Sequence, residues 1–101
     1  MIHQEHYLKT WPECFKQILL QHKTFEFRRN DRNFYPGDVL YLQEYDPFHK
    51  DDPYTGHCCK VLVTDIWGEG WTEIPMLPEG FCIMQIKFLG VFYDKTLKKE
   101  K

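Results

Sequence analysis

One segment of this 101-residue chain carries a helical period, and the segments around it alternate. In "TWPECFKQILLQ" the apolar residues Trp11, Phe15, Ile18 and Leu19 recur as the stripe of an amphipathic helix. Thr10 followed by Glu13 is a capping-box pattern, and Pro12 suits the first turn. The spacing predicts a helix from Trp11 to about Gln21, with its stripe laid over one end or face of a sheet.

The remaining segments read as strands. "HYLKT" is a short one centred on Tyr7 and Leu8. In "KTFEFRR" Phe25 and Phe27 share one face, and Thr24, Glu26 and Arg28 share the other. A strand over Val39–Tyr45 has both faces largely covered, as in a closed or nearly closed barrel. Two further strands are expected from roughly His57 to Trp67 and from Phe81 to Leu89. "NDRNFYPGD" is turn chemistry, "DPFHKDDPYTGH" a polar excursion flanked by Tyr45 and Tyr54, and "GEGWTEIPMLPEG" a broken loop. The order, one strand, one helix and then strands, predicts an α+β fold. It is a small β-barrel of about five to six mostly antiparallel strands with one main helix packed at its side or end. A single domain spans 1–101, with its core over about 6–89 and a charged tail at 94–101 that frays.

Composition narrows the function classes. Hydrophobic residues make up 43% and aromatics 17%, too rich for a disordered chain. The net charge of -2 argues against nonspecific coating of DNA but leaves room for a local basic patch. No apolar run reaches membrane-spanning length and the N-terminus lacks a signal-peptide pattern, so a cytoplasmic location and no membrane partner are expected. Cys14, Cys58, Cys59 and Cys82 form no C-x-x-C pair, and adjacent Cys58 and Cys59 point to opposite strand faces. No metal site and no cofactor is expected; the thiols read as small, reduced hydrophobes.

Lys23, Glu26 and Arg28 are the residues whose chemistry asks for explanation. Residues two apart on a strand share a face and stand roughly 6.5–7 Å apart, so Glu26 and Arg28 can flank one ligand. Arg28 offers a planar fork suited to phosphate, and Glu26 accepts hydrogen bonds from an amine or a ribose hydroxyl. Lys23, at the strand's first residue, can turn toward the same cleft. The alternative is internal Glu26–Arg28 or Glu26–Lys23 ion pairing that closes the barrel mouth, a weak source of stability. Arg28, Arg29 and Arg32 cluster in a loop that either tracks phosphate or is simply solvated. Trp71 is the tryptophan best placed to stack on a base, with capping of the barrel end as its other role; Trp11 on the helix stripe reads as core. Lys9 and Thr10 at the helix N-terminus form a second wall for the cleft, and Thr10 also serves as a plain N-cap.

The stretch "LKTWPECFKQILLQHKTFEFRRNDRNFYPGDVLYLQEYD", with the later "YTGH", resembles uncharacterised bacterial and phage members of the ASCH (activating signal cointegrator homology) superfamily. The markers are K-x-x-E-x-R (Lys23, Glu26, Arg28) and the "GD" turn (Gly37, Asp38), and the likeness spans about His6 to Leu89. It implies a PUA-like barrel whose cleft, between helix and sheet, binds RNA or a nucleotide. A few small members deacylate acetylated cytidine nucleosides with a lysine, a threonine three residues later and a distant glutamate. The lysine matches Lys23, but Glu26 stands at the threonine position. Thr24 is then the displaced candidate for a catalytic role beside Lys23 and Glu26, with Glu69, Glu73 and Glu79 as loop candidates for the glutamate. Many members also carry glycine where this chain has Gln21, which implies a different helix cap or a longer last turn. A third possibility is a protein-interaction module that uses the "DPFHKDDPY" excursion.

Overall fold

The computed structural model describes residues 3–68 and 70–97. Its elements are β1 (Glu5–Thr10), α1 (Pro12–Leu19), β2 (Phe25–Arg29), β3 (Val39–Tyr45), β4 (Tyr54–Gly68) and β5 (Phe81–Tyr93). All five strands join one sheet in the order β1-β3-β4-β5-β2. β1 runs parallel to β3, and the other neighbouring pairs are antiparallel. The expected α+β, barrel-like architecture with a single helix is present, as a five-stranded sheet curled into a half-barrel. Among the described residues no helix is long and apolar enough to cross a membrane.

The curl has a local cause. Pairing of β4 with β5 shifts register between Lys60 and Val61 and again between Val63 and Asp65. Each irregularity adds twist and bend to a strand. The second one also changes which side chains point inward: Cys59, Val61 and Val63 before it, Ile66 after it. Inward residues of β1, β3, β4 and β5, among them Leu8, Leu40, Leu42, Val61, Met84 and Ile86, form the core. Phe34, from the β2–β3 connection, joins them.

Helix α1 follows β1 directly and buries Phe15 and Ile18 against this core. Burial of each such side chain contributes roughly 1.5–3 kcal/mol. Trp11 is the N-cap residue, not part of the buried stripe, and is 59% exposed. The Trp11 side chain makes no capping hydrogen bond. Thr10 is instead the last, buried residue of β1, so the predicted Thr10–Glu13 capping box does not form.

The helix C-terminus is closed by Gln21 in the left-handed region, with φ of 59°. The amide of His22 donates to the carbonyl of Gln17 and the amide of Gln21 to that of Ile18, the two bonds of a Schellman motif. Gln21 therefore takes the conformation a glycine would take, and no different cap arises.

The "GD" turn is structural. Asp38 is 1% exposed, and its carboxylate accepts hydrogen bonds from the amides of Gln4 and Tyr35 and pairs with the His6 imidazole at 2.9 Å. Gly37 has φ of 97°, and a Cβ there would lie 2.5 Å from the His3 ring. The turn thus pins the start of β3 to the start of β1.

The strands β4 and β5 run further than the sequence pattern indicates. Their extended ends are held together beyond Leu89, and Asp94, Lys95 and Leu97 line a small cavity with Cys58. The Asp94 amide donates to the Gly56 carbonyl, and Lys95 Nζ pairs with Asp52. Residues 98–101 of the predicted fraying tail lie outside the described residues.

A cationic groove at the seam of the half-barrel

Edge strand β2 pairs with β5 so that Glu26 lies opposite Met84 and Arg28 opposite Cys82, both core residues of β5. Register therefore turns Glu26 and Arg28 inward and leaves Phe25 and Phe27 on the outer face. The alternation in "KTFEFRR" is as predicted, and the buried side is the polar one. Glu26 is 3% exposed, whereas Phe27 is 47% exposed.

Glu26 sits between two cations. Lys23 Nζ donates to its Oε1 and Arg28 Nε to its Oε2, each at 2.9 Å. Lys23 also donates to the Phe25 carbonyl at 2.7 Å and packs over the Phe25 ring. Arg28 Nη2 reaches the opposite sheet edge, donating to the Lys9 carbonyl at 2.6 Å and lying 3.5 Å from the Thr10 hydroxyl. Both ion pairs foreseen as barrel-closing contacts are present, and Arg28 bridges a seam that no backbone ladder closes. Its Nη1 makes no hydrogen bond among the described residues.

The trio does not fill the space beside it. A groove of about 500 Å³ runs along the seam, lined by Lys23, Glu26, Arg28 and Arg29 and by Lys9, whose carbonyl meets Arg28 while its Nζ lies 4.7 Å over the Tyr45 ring. Lys23, Arg28 and Arg29 outnumber the Glu26 carboxylate there, in a chain whose net charge is -2. Aromatic rings form the other wall. Phe27 and Phe81 stack with centroids 5.3 Å apart, Arg29 lies 4.7 Å over the Phe81 ring, and Trp11 and Cys14 complete the lining.

Of the residues singled out in the sequence, Lys9, Thr10, Lys23, Glu26 and Arg28 meet at this groove. Arg32 lines a smaller neighbouring cavity. Trp71 is elsewhere: it packs against the core and meets Tyr35 edge-on, because the loop after β4 folds it inward. Thr24 is exposed and lines a different cavity beside Gln21 and Lys87. Glu73 and Glu79 line a separate cavity below the β4–β5 loop, and Glu69 lies outside the described residues. Phe27, Phe81, Trp11 and Cys14 are the groove residues that sequence reasoning missed. Trp11 had a signal: the residue before a proline at the first helical position lies outside the helix, so it does not belong to the stripe.

The sequence matches the family described as a domain of unknown function (DUF3850) over residues 5–86. The chain belongs to the DUF3850 family. The matched span of this DUF3850 domain begins at β1 and ends inside β5, so it contains every groove residue. The curated proteins include no match to the chain.

Cys58, Cys59 and Cys82 are buried. Burial pushes Cys59 up to about 12, with Cys58 and the Glu26 carboxylate adding to the effect and Lys23 opposing it. Burial likewise pushes Cys58 to about 12 and Cys82 to about 11. Cys14, on the groove wall, is exposed.

Proposed function

We propose that this DUF3850 domain is a PUA-like module of the ASCH type that binds RNA or a nucleotide in the seam groove. The observation that carries this is the meeting of Lys23, Arg28 and Arg29 with a stacked aromatic pair in one groove. Cations hold phosphate, and exposed rings stack on an unpaired base. Phe27 and Phe81 take the stacking role that sequence assigned to Trp71. Glu26 has both oxygens engaged, so it orients Lys23 and Arg28 rather than reading the ligand first. Arg28 Nη1 and the Arg29 guanidinium supply donors to phosphate.

A hydrolase acting on an acylated nucleoside finds less support. Thr24 lies outside the groove lining, and Lys23 is held by an ion pair and a carbonyl. Protein binding through the "DPFHKDDPY" excursion rests on exposed Phe48 alone.

The test is titration with short single-stranded RNAs at two salt concentrations, following tryptophan fluorescence. Binding at low salt that weakens with added salt, and falls on Arg29→Ala or Phe27→Ala, is expected. An absence of binding at low salt, or affinity that ignores both substitutions, overturns the proposal.

A further inference from the structure

Strands β1 and β2 are the outer strands of the sheet, and both are short and charged, as protected edges are. The far half of β5 is a further edge. β2 covers β5 only from Phe81 to Gln85, and the Ile86 amide closes that ladder on the Thr24 carbonyl. From Lys87 to Tyr93, β5 has β4 on one side, and among the described residues no strand lies on the other. Phe88–Tyr93 holds no charge and no proline, and Leu89, Val91, Phe92 and Tyr93 are exposed. A row of unpaired backbone groups on an apolar strand is a template for another strand.

Two features select a second copy of this chain as that strand. The first is length. The open stretch runs from the end of the β2 ladder to Asp94, where a turn begins with the Leu97 amide donating to the Asp94 carbonyl. Two such stretches laid antiparallel about a two-fold axis cover each other and stop where the β2 of each copy begins. The second is charge. That arrangement brings Lys87 of each copy to Asp94 of the other. Opposed residues of an antiparallel pair share a face, and these two do. Lys87 lies opposite Leu62, and the Asp94 amide donates to the Gly56 carbonyl, an even number of residues away on β4. The extra residue of β5 at Leu89 makes this so, since a regular strand would put Lys87 and Asp94 on opposite faces.

We infer that the chain forms a symmetric dimer by antiparallel pairing of β5 with β5. Val91 lies beside the two-fold axis. The exposed Tyr93 of one copy enters the space of about 310 Å³ beside Phe88 of the other, walled by Ile18, Val61 and Ile86. The contact is at the opposite end of β5 from the groove residue Phe81, so it does not depend on nucleotide binding.

Analytical ultracentrifugation over a concentration series at low salt tests this. The native chain is expected to reach twice the monomer mass, and Val91→Lys to stay monomeric with unchanged circular dichroism, because two ammonium groups meet at the axis. Lys87→Glu and Asp94→Lys should each raise the dimer dissociation constant about tenfold, since each turns two attractions into repulsions. Mixed in equal amounts, these two variants should recover the native dissociation constant, because both cross-strand contacts then again join opposite charges. A native chain that is monomeric up to millimolar concentration overturns the inference and leaves the edge to an extended segment of another protein. A dimer that ignores Val91→Lys, or folded charge variants that do not recover on mixing, overturns it as well and puts the contact on another surface.

Discussion

The guanidinium of Arg28, on the edge strand β2, donates to the backbone carbonyl of Lys9 on β1, at the opposite edge of the same sheet. One side chain thus spans the seam that keeps the half-barrel from closing, and its other arm holds buried Glu26. Removing it leaves Glu26 with Lys23 as its only charge partner among the described residues. Arg28→Ala is expected to lower stability by about 3 kcal/mol, the low end for a broken buried pair. Arg28→Lys should recover less than half of that, because an ammonium cannot reach both partners in the geometry of a planar fork. Urea denaturation of Arg28→Ala, Glu26→Ala and the double variant measures the pair. Additive losses would mean that the two side chains do not act together.

Gln21 gives a prediction in the opposite direction. It closes helix α1 with a left-handed backbone that costs a residue with a Cβ roughly 1–2 kcal/mol. Gln21→Gly removes that cost and keeps the Schellman bonds. A gain of about 1 kcal/mol is expected, with a rise in Tm of about 4–8 °C for a domain of this size. Calorimetry decides it; an unchanged or lower Tm would show that the Gln21 side chain contributes more than its backbone costs.

Asp38 holds the other end of the barrel. Asp38→Ala leaves the Gln4 and Tyr35 amides and the His6 ring without their shared acceptor, in a site closed to water. A loss of about 3 kcal/mol or more follows. Asp38→Asn keeps one acceptor oxygen and should lose clearly less. Equal losses in chemical denaturation would contradict this account.

Strand β3 was readable to the residue because Leu40 and Leu42 alternate with partly covered neighbours and the "PGD" turn marks its start. The grouping of Lys23, Glu26 and Arg28 was readable too, since strand spacing and a short turn place them together. Which face of β2 points inward was not. Hydrophobicity favours burying Phe25 and Phe27, but pairing with β5 sets the register, and register buries Glu26. Phe81 reaches the groove only because β5 is the neighbour of β2, a fact of topology that no local pattern carries. Trp71 had the opposite fate, drawn inward by a loop whose path depends on the core beneath it.

The cysteines test burial directly. Cys58, Cys59 and Cys82 are held well above the ordinary thiol value of 9.0, while Cys14 is open to solvent. At pH 8 a thiol reagent should modify one group per folded chain, and four after denaturation. In the unfolded chain these thiols ionise first, so the stabilisation they provide is intact below about pH 9. It is then lost as pH climbs toward 11–12. Rapid reaction of two or more thiols at pH 8 without unfolding would contradict the packing described.

Phe27 and Phe81 separate binding from stability. Phe27 is about half exposed and lies outside the core, so Phe27→Ala should change stability by less than about 1 kcal/mol. If the rings stack on a base, the same substitution costs about 1–3 kcal/mol of binding, roughly a 5- to 150-fold loss for a single-stranded RNA. Because no charge is removed, the slope of log K against log salt should stay as it is, in contrast to Arg29→Ala, which should lower it. Phe27→Leu keeps apolar bulk but has no π-face, so it should bind nearly as weakly as Phe27→Ala. Affinity restored by leucine would mean that the wall acts by apolar contact and not by stacking, and the base would then have to lie elsewhere in the groove.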